Sequence, residues 1–315
     1  MSFTGEVKDE LSRMDDVDVA CARAELSSLM RVSGTLSYRG PGRYSIRLST
    51  ETGGVARTTI KLTHQLYGLE TRLTPRRSLL HKTRNYLIEI PEQPGLERAL
   101  YDLAILIPGK GLAAEIVPDM VATPGGRGAY LRGAFLAGGF IADPRQAFHM
   151  EITVTSSTLA EQLLELMGSL GIPAGLNHRR GYWALYVKNF DDLILLLREM
   201  GAQKAADETE EIRIVKSVKN DINRKVNAEL ANQARSVSAC ASQLDLISEA
   251  DALIGLKNLP PAVQQFCRLR QDFPDMSLRD LGLQADPPLS KSALNHRLRR
   301  LEAYVKQARI DGRQD

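Results

Sequence analysis

The residues best suited to chemistry in this 315-residue chain lie near its C-terminus, where hydrogen-bonding and cationic side chains recur at helical spacing. Leucines and a valine at the remaining positions (Leu294, Leu298, Leu301 and Val305) predict a buried stripe on a helix that begins at Ser290. Side chains of this kind contact base edges and phosphates of DNA. Residues 288–310 hold six Lys/Arg and one Glu. The predicted reading residues are Lys291, Ser292, Asn295, His296, Arg299 and Arg300.

A shorter helix, Ser277–Leu283, precedes this one, and Ser277 with Asp280 resembles a capping arrangement. Two helices joined by a turn predict a helix-turn-helix, in which Ser277 and Arg279 of the first helix assist binding. The intervening turn is longer than the usual three or four residues. The alternative is a small helical bundle for dimerisation or docking.

A second notable stretch is Tyr130–Pro144, a predicted helix rich in alanine and glycine. Small residues three and four apart allow another helix to approach closely. Asp143 and Pro144 follow, and we expect the proline to end the helix beside this carboxylate. The alternative is an ordinary core helix that ends in glycine.

Basic residues are concentrated in one part of a chain whose net charge is only +3. Residues 31–90 hold eleven Lys/Arg and three acids, a balance of +8, whereas residues 1–30 are acidic, at −4. A basic block predicts a polyanionic partner, the alternatives being a solvated face or an acidic protein partner. The predicted phosphate contacts are Arg39, Arg43, Arg47, Arg76, Arg77, Arg179, Arg180, Arg224 and Lys225.

Asparagines are unusually dense around Arg224 and Lys225. Asn220, Asn223, Asn227 and Asn232 lie in a predicted helical tract. They indicate either contacts to DNA or a helix that they cap and bend.

Composition excludes several classes of protein. The chain is 43% hydrophobic, and its three cysteines are scattered, which argues against a disulfide framework and a zinc site. No signal pattern or run of apolar residues long enough to span a membrane is present. We expect a cytoplasmic protein without metal or cofactor.

The order of predicted elements repeats: helix, two strands, helix, two strands, helix occurs over residues 19–107 and again over 126–203. An acidic lead-in (1–18) precedes this pair, and a helical, Asn-rich linker (204–257) and the helix-turn-helix (258–315) follow. The predicted fold is therefore an α+β domain of two αββαββα repeats related by a pseudo-twofold axis, followed by an all-α domain.

Residues Leu136–Pro144 resemble the signature of LAGLIDADG homing endonucleases, in which two such helices pack together and an acid near the end of each carries metal to a scissile phosphate. Leu26–Gly34 is the matching stretch of the first repeat. Its counterpart of Asp143 is Ser33, which brings no charge to a magnesium ion. The resemblance therefore implies a degenerate domain with Asp143 as a vestige.

The whole chain resembles the WhiA family, on the segments YLRGAFLAGG, NRKVNAELAN and LSKSALNHRLRRL. The resemblance implies a helix-turn-helix similar to region four of sigma factors. It also implies a bacterial, nucleoid-associated, sequence-specific regulator of cell division, chromosome segregation and, in sporulating actinobacteria, sporulation. The expected partners are double-stranded DNA and a sigma factor or another transcription regulator, and the expected state is a monomer or weak oligomer.

Two functions of different classes follow. In the first, the chain is a non-enzymatic transcription regulator that reads DNA mainly with its last helix. In the second, it is a metal-dependent LAGLIDADG-type endonuclease that retains activity. Ser33 and the added helix-turn-helix favour the first.

Overall fold

The structure of the protein is a computed structural model that describes residues 2–14, 18–77, 84–146 and 149–311. The chain forms two compact units, Met1–Lys216 and Ser217–Asp315. Among the described residues, no helix is both long enough and apolar enough to span a membrane.

The N-terminal unit begins with one helix and then the first of the two predicted repeats. The elements are α1 (Phe3–Leu11), α2 (Val19–Ser33), β1 (Gly34–Tyr38), β2 (Tyr44–Thr50), α3 (Gly53–Tyr67), β3 (Arg72–Arg77), β4 (Arg84–Ile90) and α4 (Leu96–Asp102). A hairpin of β5 (Leu106–Ile107) and β6 (Gly111–Leu112) and a short 3-10 helix at Pro118–Val121 lead to the second repeat. Its elements are α5 (Pro124–Gly138), β7 (Gly139–Ile141), β8 (Met150–Val154), α6 (Ser157–Ser169), β9 (Ala174–Arg179), β10 (Tyr182–Val187) and α7 (Phe190–Met200).

Each repeat contains one antiparallel four-stranded sheet, and the two sheets have the same strand order. They run β1-β2-β4-β3 and β7-β8-β10-β9. Alternation along the strands explains which face is buried: Ile46 and Leu48 of β2 are buried, and Arg47 between them is exposed. The predicted two-fold repeat of an α+β unit is confirmed.

The predicted acidic lead-in contains a helix that belongs to the core. Phe3, Val7 and Leu11 of α1, spaced four residues apart, are buried in the core of the N-terminal unit. Glu10 accepts hydrogen bonds from the backbone N–H groups of Lys204 (2.7 Å) and Ala205 (3.0 Å). The predicted start of the folded domain at residue 19, after a separate lead-in, is therefore wrong, because α1 belongs to its core.

The described residues of the C-terminal unit form helices and no strand. The unit consists of the end of a long helix and four further elements: α8 (Gln203–Leu253), a 3-10 helix (Leu256–Asn258), α9 (Pro261–Asp272), α10 (Leu278–Leu283) and α11 (Lys291–Asp311). Ile247 and Ala250 of α8 are buried with Phe266 of α9 and Leu281 of α10. The predicted linker covers residues 204–257, and its C-terminal end is thus part of the helix-turn-helix core.

Candidate nucleic-acid interface

One face of α11 is exposed and carries the predicted reading residues. Leu294, Leu301 and Val305 are buried and hold the opposite side of the helix in the core. All six predicted side chains are exposed. Helical spacing places Ser292, His296, Arg299 and Arg300 on the face opposite the buried stripe. Asn295 lies at the margin of this face, and Lys291 lies nearer the stripe.

The start of α11 is fixed by its cap. The Ser290 hydroxyl accepts the backbone N–H of Ala293 at 3.2 Å, and the Ser290 carbonyl accepts that of Leu294 at 3.1 Å. Along α11, Arg297 donates to Gln265 of α9 at 2.7 Å, and Arg309 makes two 2.5 Å hydrogen bonds to Glu249 of α8. These contacts set the rotation of α11 and hence the direction in which the exposed face points.

The long turn between α10 and α11 is closed by a backbone contact at glycine. The Leu289 N–H donates to the Gly282 carbonyl at 2.8 Å, and a Cβ at residue 282 would lie 2.2 Å from the Leu289 carbonyl oxygen. Only glycine allows this approach. Ser277 caps α10 as predicted: its hydroxyl accepts the Asp280 N–H at 3.3 Å and donates to the Asp280 carboxylate at 2.6 Å. Ser277 is half-buried and Arg279 is exposed.

A fully buried arginine, Arg270 of α9, connects α8 to the turn before α10. Its Nε donates to Gln243 Oε1 at 2.9 Å, and its Nη1 donates to the carbonyl of Met276 at 2.6 Å and that of Phe273 at 3.2 Å. Burial lowers the pKa of this guanidinium. Sequence reasoning missed Arg270, although a cation in the stripe Val263, Phe266, Cys267, Arg270 is a recognisable signal.

In the N-terminal unit, α2 and α5 pack closely through small residues. A Cβ at Gly133 would lie 2.2 Å from the Glu25 carbonyl oxygen and 3.0 Å from Ser28 Cβ. Ser28 of α2 therefore faces Gly133 of α5. The Ser27 hydroxyl donates to the Leu103 carbonyl at 2.7 Å.

Helices α2 and α5 end in the same backbone conformation. Aligning these two ends changes the predicted residue-by-residue match between the repeats. Gly34 and Gly139 are the C-caps, with φ/ψ of −82°/143° and −83°/146°. Counting back from these glycines, Leu26–Gly34 corresponds to Leu131–Gly139, and the counterpart of Ser33 is Gly138. Neither residue carries a carboxylate.

Asp143 is a turn residue that follows β7. The helix ends five residues earlier because Gly139 is already extended, so the prediction that Asp143 stands at the helix end is wrong. Its Oδ1 accepts the Arg145 N–H at 2.9 Å, which accounts for an acid at this turn. Across residues 2–14, 18–77, 84–146 and 149–311, no three His, Cys, Asp or Glu side chains are grouped so as to hold a metal ion.

A buried ion pair lies beside the contact between α2 and α5. Arg132 Nε donates to Glu25 Oε2 at 2.8 Å, and its Nη1 donates to the Met200 carbonyl at 3.0 Å. Their side chains are 5% and 3% exposed. Burial raises the pKa of the Glu25 carboxyl, and the Arg132 guanidinium opposes that rise. This pair, which was not predicted, connects α5 to α2 and to the end of α7.

Several predicted phosphate contacts on the sheets are paired with carboxylates. Arg43 lies 2.8 Å from Glu92, Arg47 lies 3.5 Å from Glu89, and Arg179 contacts Glu151. The remaining predicted cations fall into three groups. Arg39, Arg76 and Arg180 are exposed, Arg180 at a φ of +51°, and no ion pair is described for them. Arg224 pairs with Asp221 on α8 and Lys225 is exposed, whereas the Arg77 side chain lies outside the described residues.

The asparagine-rich segment lies within an unbroken helix. α8 runs continuously from Gln203 to Leu253, so Asn220, Asn223, Asn227 and Asn232 neither cap nor end it. All four side chains are exposed, and none has a hydrogen bond to another described residue.

Three family models match consecutive parts of the chain. The WhiA N-terminal LAGLIDADG-like domain matches residues 19–106, the WhiA LAGLIDADG-like domain matches 127–219, and the WhiA C-terminal HTH domain matches 222–305. The last match begins within α8, in agreement with the burial of the end of α8 in the helical core.

Full-length relatives and a solved structure agree with these matches. "Probable cell division protein WhiA" of Clostridium novyi is 34% identical over 99% of this chain and 100% of its own, and that of Heliobacterium modesticaldum is 36% identical over 97% and 96%. The crystal structure of full-length DUF199/WhiA from Thermatoga maritima has the same fold, with a TM-score of 0.60 and 24% identity over 98% of this chain and 99% of that one. The chain belongs to the WhiA family.

Proposed function

We propose that this protein is a sequence-specific, double-stranded-DNA-binding regulator of transcription that acts in cell division and reads its sites mainly with α11. The observation that carries the proposal is the exposed face of α11. Amide, hydroxyl, imidazole and guanidinium groups lie together there on a helix whose other side is fixed in a core. Side chains of this chemistry discriminate base pairs in the major groove, and flanking cations hold phosphates.

We propose no nuclease reaction for the N-terminal unit. The positions at the ends of α2 and α5 are Ser33 and Gly138, and the hydroxyl of Ser33 donates to the Leu29 carbonyl within its own helix at 2.9 Å. Metal-assisted phosphodiester cleavage requires hard anionic ligands at such positions. The alternative, a LAGLIDADG-type endonuclease, would need a carboxylate pair that α2 and α5 do not supply there.

The cellular roles follow from family membership. The relatives are named probable cell division proteins. Chromosome segregation and sporulation, a cytoplasmic and nucleoid-associated location, a sigma factor or another regulator as protein partner, and a monomeric or weakly oligomeric state are proposed with it.

The test is a selection of genomic fragments by full-length protein, followed by titration of a selected and an unrelated duplex at several salt concentrations. Arg299→Ala is compared with Lys257→Ala, which removes an exposed cation outside α10 and α11. We expect Arg299→Ala to cost about 1–3 kcal/mol on the selected duplex and to reduce discrimination between the duplexes. Lys257→Ala should leave discrimination intact.

Two outcomes would contradict the proposal. If Arg299→Ala discriminates as well as the wild type, α11 does not read the site. If the wild type cuts the duplex when magnesium is added and Asp143→Asn abolishes the cutting, the N-terminal unit is a nuclease.

A further inference from the structure

Helix α1 occupies a groove at the edge of the sheet of the second repeat. It packs against α3, α5 and the edge strand β7. The Thr4 hydroxyl donates to the Ile141 carbonyl at 2.7 Å and accepts the Ile141 N–H at 2.9 Å. One side chain of α1 thus satisfies two backbone groups of β7 that point away from β8.

The equivalent edge of the first repeat is strand β1. Aligning the C-caps of α2 and α5 makes Leu36 of β1 the counterpart of Ile141. The Arg39 N–H donates to the Arg43 carbonyl at 3.0 Å, and bonded and non-bonded pairs alternate along the register, so Leu36 directs its N–H and carbonyl away from β2. Among the residues that the structure describes, no partner outside the sheet is described for these two groups.

An apolar cavity of about 560 Å³ lies beside Leu36. We call it the β1 groove, and its apolar lining is Met30, Leu36, Ile46, Ile105, Leu112 and Leu159. Leu36 is half-buried, and Leu112 at the tip of the β5–β6 hairpin is 66% exposed. The volume is within the range of pockets that bind ligands.

The β1 groove is equivalent to the place of the first half of α1. Thr58 donates to the Ser12 carbonyl at the end of α1, and its counterpart, when α3 and α6 are aligned on their N-caps, is Gln162. Gln162 Oε1 accepts the Ile116 N–H at 2.6 Å. The segment after β6 therefore occupies the place of the end of α1, and the cavity remains where the first turns of α1 would lie.

The two grooves differ at the position of Lys8 of α1. The Lys8 Nζ lies 5.7 Å from the centre of the Phe135 ring, and Glu51 opposes the effect of burial, which lowers the pKa of Lys8 to about 8. The counterparts of Phe135 and Glu51 in the β1 groove are Met30 and Thr155, which offer neither an aromatic ring nor a carboxylate. A buried cation would be unpaired there, so an apolar side chain fits this position better.

We propose that the β1 groove binds a short amphipathic helix of a partner protein in the way that α1 binds the second repeat. This helix carries an apolar residue followed directly by serine or threonine, and two apolar residues three and four positions after the hydroxyl. The hydroxyl bonds the Leu36 backbone as Thr4 bonds that of Ile141. The chain's own α1 is held in the other groove, so the occupant comes from a different protein. The β1 groove lies in the N-terminal unit and does not depend on DNA reading by α11.

The test uses a fluorescent peptide of residues 2–13 that carries Lys8→Leu, titrated with full-length protein and followed by anisotropy. We expect saturable binding that Leu112→Asp in the protein weakens about 10-fold, because a charge replaces an apolar contact. Leu283→Asp is the matched control, since Leu283 is also 66% exposed and lies in the C-terminal unit. Thr4→Val in the peptide removes both hydrogen bonds and should weaken binding at least about 5-fold.

The unmodified peptide, which retains Lys8, distinguishes the two grooves. We expect it to bind about 10-fold more weakly than the Lys8→Leu peptide, because its ammonium would be buried without a partner. Tighter binding of the unmodified peptide would show that it displaces α1 from its own groove, and would overturn the proposal. Absence of saturable binding by the Lys8→Leu peptide, or equal binding to Leu112→Asp and Leu283→Asp, would also overturn it.

Discussion

The two units both expose arginines, but they differ in what those arginines contact. On the sheets of the N-terminal unit, Arg43, Arg47 and Arg179 each face a carboxylate. On α11, no ion pair is described for Lys291, Arg299 or Arg300, and the Arg300 guanidinium donates to the Tyr304 hydroxyl at 3.3 Å. A cation already paired with a carboxylate gains less from a phosphate, because the first partner must be displaced. A count of basic residues therefore overestimates how strongly the N-terminal unit attracts DNA.

The two repeats of the N-terminal unit carry opposite charges at an equivalent position of their sheets. Arg47 lies opposite Thr35 in the first sheet, and Glu151 lies opposite Phe140 in the second, at the equivalent position. Glu151 contacts both Arg179 and His149. One repeat thus presents a paired cation where the other presents a carboxylate held by two basic groups. We expect the two sheets to contribute little to sequence discrimination.

The largest loss of stability is predicted for removal of the cation from the buried Arg132–Glu25 pair of the N-terminal unit. Arg132→Met leaves the Glu25 carboxylate buried without its cation, which costs about 3–5 kcal/mol of unfolding free energy. Urea denaturation measures this loss, and Glu25→Leu/Arg132→Met should restore much of it. Full stability of the single variant would show that water already reaches Glu25.

The same variant tests whether the N-terminal unit takes part in recognising the DNA site. Under conditions where Arg132→Met remains folded, α11 should discriminate between selected and unrelated duplexes as well as in the wild type, because Arg132 lies outside the C-terminal unit. Loss of discrimination without loss of structure would mean that the N-terminal unit takes part in reading the site.

A smaller effect is predicted at the start of α11. Ser290→Ala removes the hydroxyl that caps the Ala293 N–H, and loss of such a cap costs about 1 kcal/mol. Thermal unfolding of the C-terminal unit measures the effect, and Ser290→Asp, which retains a capping oxygen, is the matched control. Equal destabilisation by both substitutions would indicate that a feature other than the cap fixes this end of the helix.

Periodicity predicted most of the fold, and the misses have identifiable causes. The 3.6-residue spacing of Leu294, Leu298, Leu301 and Val305 predicted a helix with a buried face, which is confirmed. In α5 the small residues recur so densely that two alignments with α2 look equally good, and only the glycine C-caps decide between them. The first helix was missed because acidic residues surround its three buried positions.

Side-chain pairing was beyond the reach of the sequence. Arg43 and Glu92 are 49 residues apart and meet only because of how β2 and β4 are paired. The apolar stripe of α9 marks Arg270 as buried, but no pattern of residue types reveals that its partners are carbonyl groups. The exposed face of α11 could be predicted because residue spacing within one helix determines it. Whether an arginine on a sheet is paired with a carboxylate depends on strand register, which the sequence does not show.

The smallest predicted effect is a change in DNA affinity when the ion pair between Arg179 and Glu151 is removed. Glu151→Gln removes the carboxylate that Arg179 contacts and leaves the side chain nearly unchanged in size. We expect the freed cations to raise affinity for unrelated duplex about two- to five-fold at low salt and to steepen its salt dependence by about one phosphate contact. Glu161→Gln, which removes an exposed carboxylate on α6 for which no ion pair is described, is the control for the change in net charge. If the two variants gain equally, net charge is responsible and pairing is not. If only Glu151→Gln gains, the ion pair is what keeps this sheet from binding DNA.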